Sequence, residues 1–89
     1  RVSGWGQDGI WAGKPGFGSL VEAMSGFAAM NGFGDRPPVL PPLALADMIA
    51  GLYGAFGIML ALRSAEKTGR GQYIDIALHD GIFRFLDEI

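Results

Sequence analysis

Cysteine is absent from the 89 residues and histidine occurs once, at His79. No disulfide can brace the chain, and no second imidazole or thiolate is present to complete a zinc-type site with His79. Charge is sparse as well: Asp, Glu, Lys and Arg make up 18% of the residues and leave a formal net charge of −2. That balance lacks the basic footprint required for nucleic-acid binding. Periodicity beyond single elements is also missing, so the 15 glycines belong neither to a collagen repeat nor to a solenoid. What the chain does have is apolar residues, at 49%, enough to drive collapse and to exclude disorder. A length of 89 residues allows one domain at most, and such a domain buries only roughly two-thirds of its unfolded surface. The chain opens on Arg1 and reaches Ile89 inside a helical pattern, which predicts an internal piece of a longer protein, with residues 1–89 forming a single partial domain.

Arg1 to Ser3 reads as the end of a strand, and Gly4 to Gly16 as a glycine-dense connection. Ser19 and Glu22 have the spacing of a capping box, and Leu20, Ala23, Met24, Phe27 and Met30 recur at helical spacing, predicting a helix over 19–31. Pro37, Pro38, Pro41 and Pro42 impose an extended loop over 33–42. A second helix is expected from Leu45 to Lys67, apolar around most of its circumference and hence buried on every side, with Gly69 supplying its left-handed end. Tyr73 to Leu78 alternates as a strand, and His79 to Glu88 resumes helical spacing. Strand, helix, long helix, strand and helix together predict an α/β layer architecture.

Three patterns compete for a functional reading. Gly4, Gly6 and Gly9 spell G-x-G-x-x-G, but Gly13, Pro15 and Gly16 follow where a dinucleotide-binding turn should open directly into a helix. A phosphate-binding loop fails too, since Asp8 stands five residues before Gly13. Leu43 to Leu62 runs for 20 residues with one charge, long enough to span a membrane, but the soluble-looking helix and strand that flank it favour the central buried helix of a soluble domain. In that run Gly51, Gly54 and Gly57 make a small-residue stripe on which another element can pack.

Asp47 is the one charge in the run. The first turn of a helix stabilises a carboxylate, by about 0.3–1 kcal/mol, so Asp47 reads as a helix-start residue. That is the favoured reading of the residues alone. The sharper one is a nucleophile: an aspartate behind a proline-stiffened approach, flanked by Ala46 and apolar turns, is held in place, partly dehydrated and still ionised. His79 suits a helix end or a surface, and Lys67 with Arg70 an ordinary basic helix C-terminus.

Five segments add a resemblance to these readings. R-V-S-G-W-G-Q-D-G at 1–9, P-G-F-G-S-L-V-E-A-M-S-G at 15–26, D-R-P-P at 35–38, A-D at 46–47 and A-L-R…T-G-R-G-Q-Y-I-D-I-A-L at 61–78 resemble the class III CoA-transferases, the group of formyl-CoA transferase, carnitine CoA-transferase and α-methylacyl-CoA racemase. The segments lie in order over nearly the whole chain. Ile10 departs from the proline that many members carry.

The resemblance implies that Asp47 is the family's nucleophile, acting through an aspartyl mixed anhydride and an aspartyl-CoA thioester. It implies that Gly16 and Phe17 line the acyl or pantetheine region, and it makes Lys14 a candidate contact near the site. The racemase branch has a proton-transferring histidine 30 residues before the aspartate, where this chain has Phe17, so CoA transfer is expected over racemisation. The wording around Phe17 is most similar to members acting on dicarboxylic acids such as succinate. The implied fold is α/β, part of a Rossmann-like large domain in an interlocked homodimer. The implied partners are an acyl-CoA and a carboxylic acid, without nucleic acid or membrane. CoA enters as a substrate thioester, with no permanently bound cofactor and no metal. The implied location is the cytoplasm, or a mitochondrion or peroxisome in a eukaryote. The competing class is a noncatalytic buried or membrane helix.

Overall fold

The computed structural model describes residues 1–87. Glu88, the expected end of the last helical run, and Ile89 lie outside the described residues. Two short strands, β1 (Val2–Ser3) and β2 (Ile76–Ala77), pair in parallel with Val2 opposite Ile76 and Ser3 opposite Ala77. Backbone bonds extend the contact at both ends, from Ile76 N–H to Arg1 O at 3.0 Å and from His79 N–H to Gly4 O at 3.1 Å. A parallel pair needs a long crossover. Here it holds the helices α1 (Gly18–Met24), α2 (Phe27–Met30) and α3 (Leu45–Thr68), and β2 then leads directly into α4 (Leu78–Phe83) and a 3-10 turn at Arg84–Leu86.

The expected helix over 19–31 is two helices. Gly26 takes φ 91°, a left-handed conformation that breaks the run, and the Ser25 hydroxyl accepts from Phe27 N–H at 3.3 Å to start the second piece. The capping box is also corrected. Phe17 is the N-cap and Gly18 already belongs to α1, so Ser19 lies inside the helix and Glu22 bonds elsewhere. The strand expected over 73–78 is confined to Ile76–Ala77, the two residues paired with Val2 and Ser3, with Ile74 O accepting from the Arg1 amino group at 2.7 Å just before it.

α3 begins and ends close to expectation. Gly69 closes it at φ 72°, its N–H donating to Ala65 O at 2.7 Å. The core forms where α1, α3 and α4 meet: Val21, Ala46, Ala50, Leu78 and Ile82 are buried, with Trp5, Phe27, Leu45, Ile49 and Ile76 packed around them. Two members of the glycine stripe are used. A Cβ on Gly54 would lie 3.4 Å from Ile76 Cδ1 and one on Gly57 would lie 3.6 Å from Ile74 Cγ2, whereas Gly51 faces open space.

The expectation that α3 is buried on every side does not hold within this chain. Ala46 and Ala50 are its buried residues, while Leu52 is 74% exposed, Phe56 67% and Met59 66%. α1, α4 and β2 are short and cover one side of the helix, leaving its remaining apolar surface uncovered.

Candidate functional site

Asp47 sits in the first turn of α3, behind the Pro41–Pro42 approach and an N-cap, Ala44, whose methyl group cannot accept a hydrogen bond. A helix start without a side-chain acceptor leaves its first N–H groups to find partners elsewhere. Glu22 of α1 supplies one: its Oε1 accepts from Ala46 N–H at 3.0 Å, and the side chain is 2% exposed. Gly18 lies between the two carboxylates. A Cβ added there would run into Asp47 Oδ2, 3.3 Å from Asp47 Cγ and 3.8 Å from Glu22 Oε1. The absence of a side chain at Gly18 is what lets α3 bring Asp47 against the start of α1.

The segment leading to Gly18 is fixed by backbone contact. Gly16 crosses Gly4 so closely that a Cβ on Gly16 would lie 2.8 Å from Gly4 Cα, and one on Gly4 would lie 2.7 Å from Gly16 Cα. Trp5 Nε1–H donates to Pro15 O at 3.0 Å, and Phe17 O accepts from Leu20 N–H at 3.0 Å and Val21 N–H at 3.1 Å. The Phe17 ring is 67% exposed. Of Gly16, Phe17 and Gly18, Gly18 is the residue placed against Asp47, while Gly16 packs on Gly4 and Trp5.

Lys14 is placed differently. It is exposed, with its Nζ 4.8 Å from the centre of the Trp11 ring, and among the described residues no ion pair joins it to Asp47. Asp47 is itself exposed, so the expected partial dehydration is not provided by this chain.

Sequence reasoning did not find the buried role of Glu22. The signal available was Ala44, a helix start with no local capping side chain. His79 stands at a helix end, as expected, in the first turn of α4, where its half-buried ring stacks on Phe83 at 5.7 Å and 14° and lies 5.8 Å from Trp5. A cavity of about 410 Å³ lined by Tyr53, Asp75, Ile76, Ala77, Asp80, Gly81 and Arg84 includes neither Asp47 nor the Gly16–Gly18 segment.

A parallel strand pair joined by a crossover with a long apolar helix, which sets one carboxylate against the glycine that begins α1, defines a mixed helix–strand protein with a candidate carboxylate site. All 89 residues match the profile of CoA-transferase family III, and the chain belongs to that family. It is 50% identical over 90 aligned positions to the succinyl-CoA–L-malate CoA-transferase alpha subunit of Chloroflexus aurantiacus, covering 100% of this chain and 21% of the relative. It is 39% identical over 79 positions to the succinate–glutarate CoA-transferase of Agrobacterium fabrum, covering 89% of this chain and 20% of the relative. The crystal structure of a CaiB/BaiF family protein from Brucella suis superposes with TM-score 0.93 at 35% identity, over 97% of this chain and 23% of that one. The chain thus spans about a fifth of the length of the curated relatives it matches.

Proposed function

We propose that the protein transfers coenzyme A between carboxylic acids and that Asp47 is its covalent nucleophile. The observation that carries this reading is the Asp47 carboxylate at the start of α3, set against the side-chain-free Gly18, in a chain that matches the transferase family from end to end. In the proposed sequence, an Asp47 oxygen attacks the thioester carbonyl and expels CoA thiolate, leaving a mixed anhydride. The thiolate then attacks the Asp47 carbonyl of the anhydride, releasing the donor carboxylate and forming an aspartyl-CoA thioester. The acceptor carboxylate attacks that thioester to give a second anhydride and free thiolate. Attack of the thiolate on the acceptor carbonyl yields the new CoA ester and regenerates Asp47. Thioester and anhydride are both activated acyl groups, so each step exchanges bonds of similar energy, provided that water is kept out.

Asp47 is exposed in this chain, so the remainder of the enzyme supplies the cover that this chemistry needs. On this reading α3 belongs to a Rossmann-like large domain in an interlocked pair of chains. Phe17 and Gly16 line the acyl or pantetheine region, and Lys14 contacts CoA from the neighbouring loop. CoA is a substrate, and no resident cofactor is required by these steps. Relatives that carry succinyl-CoA, malate and glutarate in their names support succinyl-CoA as donor and a short dicarboxylate as acceptor.

The test uses the intact enzyme incubated with succinyl-CoA and trapped with hydroxylamine or borohydride. The adduct is expected on Asp47, and Asp47→Asn is expected to lower transfer by at least roughly 1,000-fold. Equal transfer rates for Asp47→Asn and wild type would overturn the assignment.

A further inference from the structure

Among the described residues Glu22 is the one buried charged side chain, at 2% exposure. A carboxylate is rarely buried without a specific partner, because removing it from water costs several kcal/mol unless hydrogen bonds replace the lost hydration. Its partner here belongs to another element: Oε1 accepts from Ala46 N–H at 3.0 Å, across 24 residues of sequence. Ala46 immediately precedes Asp47, and Ala44 gives α3 no side-chain cap of its own. The neighbouring amides are held locally, Leu45 N–H by Leu43 O at 2.9 Å and Met48 N–H by Ala44 O at 3.0 Å. Glu22 therefore does from α1 what a Ser, Thr, Asp or Asn N-cap does from within a helix. It also faces Asp47 across Gly18, where a Cβ would lie 3.8 Å from Glu22 Oε1 and against Asp47 Oδ2.

We propose that Glu22 is a positioning residue for CoA transfer: its carboxylate caps the first turn of α3 from outside and so fixes the direction in which the Asp47 carboxylate meets the thioester. The inference rests on Asp47 being the nucleophile. It assigns Glu22 an acceptor's role, so an uncharged acceptor of the same shape should replace it, while loss of the oxygen should release the turn. An ångström of misplacement at a reacting group costs up to about 100-fold in rate.

The test compares Glu22→Gln, Glu22→Ala and Glu22→Asp in the intact enzyme, with turnover divided by the number of sites that form the Asp47 adduct. Glu22→Gln is expected to stay within about threefold of wild type, since its amide oxygen still reaches Ala46 N–H. Glu22→Ala is expected to lose about 10- to 100-fold in kcat per active site, with KM within about threefold of wild type. A structural role alone would lower the melting temperature and the number of active sites and leave turnover per site unchanged; that result overturns the proposal. A fall in Glu22→Gln as deep as that in Glu22→Ala also overturns it, because charge rather than the accepted bond would then matter. If Glu22→Ala yields no soluble enzyme, Glu22→Asp decides, as it keeps the charge but withdraws the oxygen by one methylene. Unchanged per-site turnover in Glu22→Asp counts against the positioning role, and a loss of about tenfold or more supports it. Full activity in Asp47→Asn would instead remove the reading beneath the proposal, whatever the Glu22 variants do.

Discussion

Gly18 lies between two carboxylates and, by having no side chain, lets Asp47 come against the start of α1, so a side chain added there acts directly on the site. Gly18→Ala would place a methyl group on Asp47 Oδ2, so either the aspartate turns away or α1 shifts. The expected outcome is a loss of about 10- to 100-fold in kcat with a fold that still assembles, read by steady-state kinetics beside a melting curve. Phe17 carries a second prediction at this scale. A phenyl ring neither accepts nor returns a proton, so a 2-methylacyl-CoA incubated with the intact enzyme in deuterium oxide should show no exchange at its α-carbon. Appearance of deuterium there would restore the racemase reading. Asp47 could be placed at a helix start from its own segment, and the family resemblance of the A-D pair at 46–47 marked it as the expected nucleophile. The role of Glu22 could not be read in this way, because capping rules are local and its acceptor oxygen serves an amide in another helix.

α3 shows the same division one level up. Its start, length and end follow from the proline approach, the apolar run and Gly69, all of which act within a few residues. Gly69 at φ 72° predicts that Gly69→Ala lowers stability by about 1 kcal/mol, measured as a drop in denaturation midpoint, with little change in transfer. How much of α3 is covered was not legible, since apolarity shows that a surface needs a partner without naming the partner. The helix has the length and mean hydropathy, 1.8, of a membrane span, with 11% of that window buried inside this chain. The proposed transferase fold makes it an interior helix instead, so alkaline carbonate should release the intact protein from membranes. Retention in the pellet would favour a span. The split of the expected helix over 19–31 has a comparable cause: Leu20 to Met30 keep a helical spacing throughout, yet the left-handed backbone of Gly26 between them separates α1 from α2.

For the molecule as a whole, the exposed area and the dimensions point the same way. The chain exposes 6558 Å², against about 5000 Å² for a folded monomer of this mass. Its radius of gyration is 15.3 Å, where about 12 Å is usual for 89 residues. Surface in this excess, much of it Leu, Met and Phe of α3, predicts that residues 1–89 produced alone bind a hydrophobic dye, self-associate on gel filtration and catalyse no transfer. A monomeric, dye-silent and active peptide would contradict both this and the proposed covering by the rest of the enzyme. The Glu22–Ala46 bond has a further consequence in time rather than space. Because the amide beside Asp47 finds its acceptor only after α1 has docked on α3, hydrogen exchange at Ala46 should slow when that docking occurs, making one backbone proton a clock for the assembly of the site before any substrate arrives.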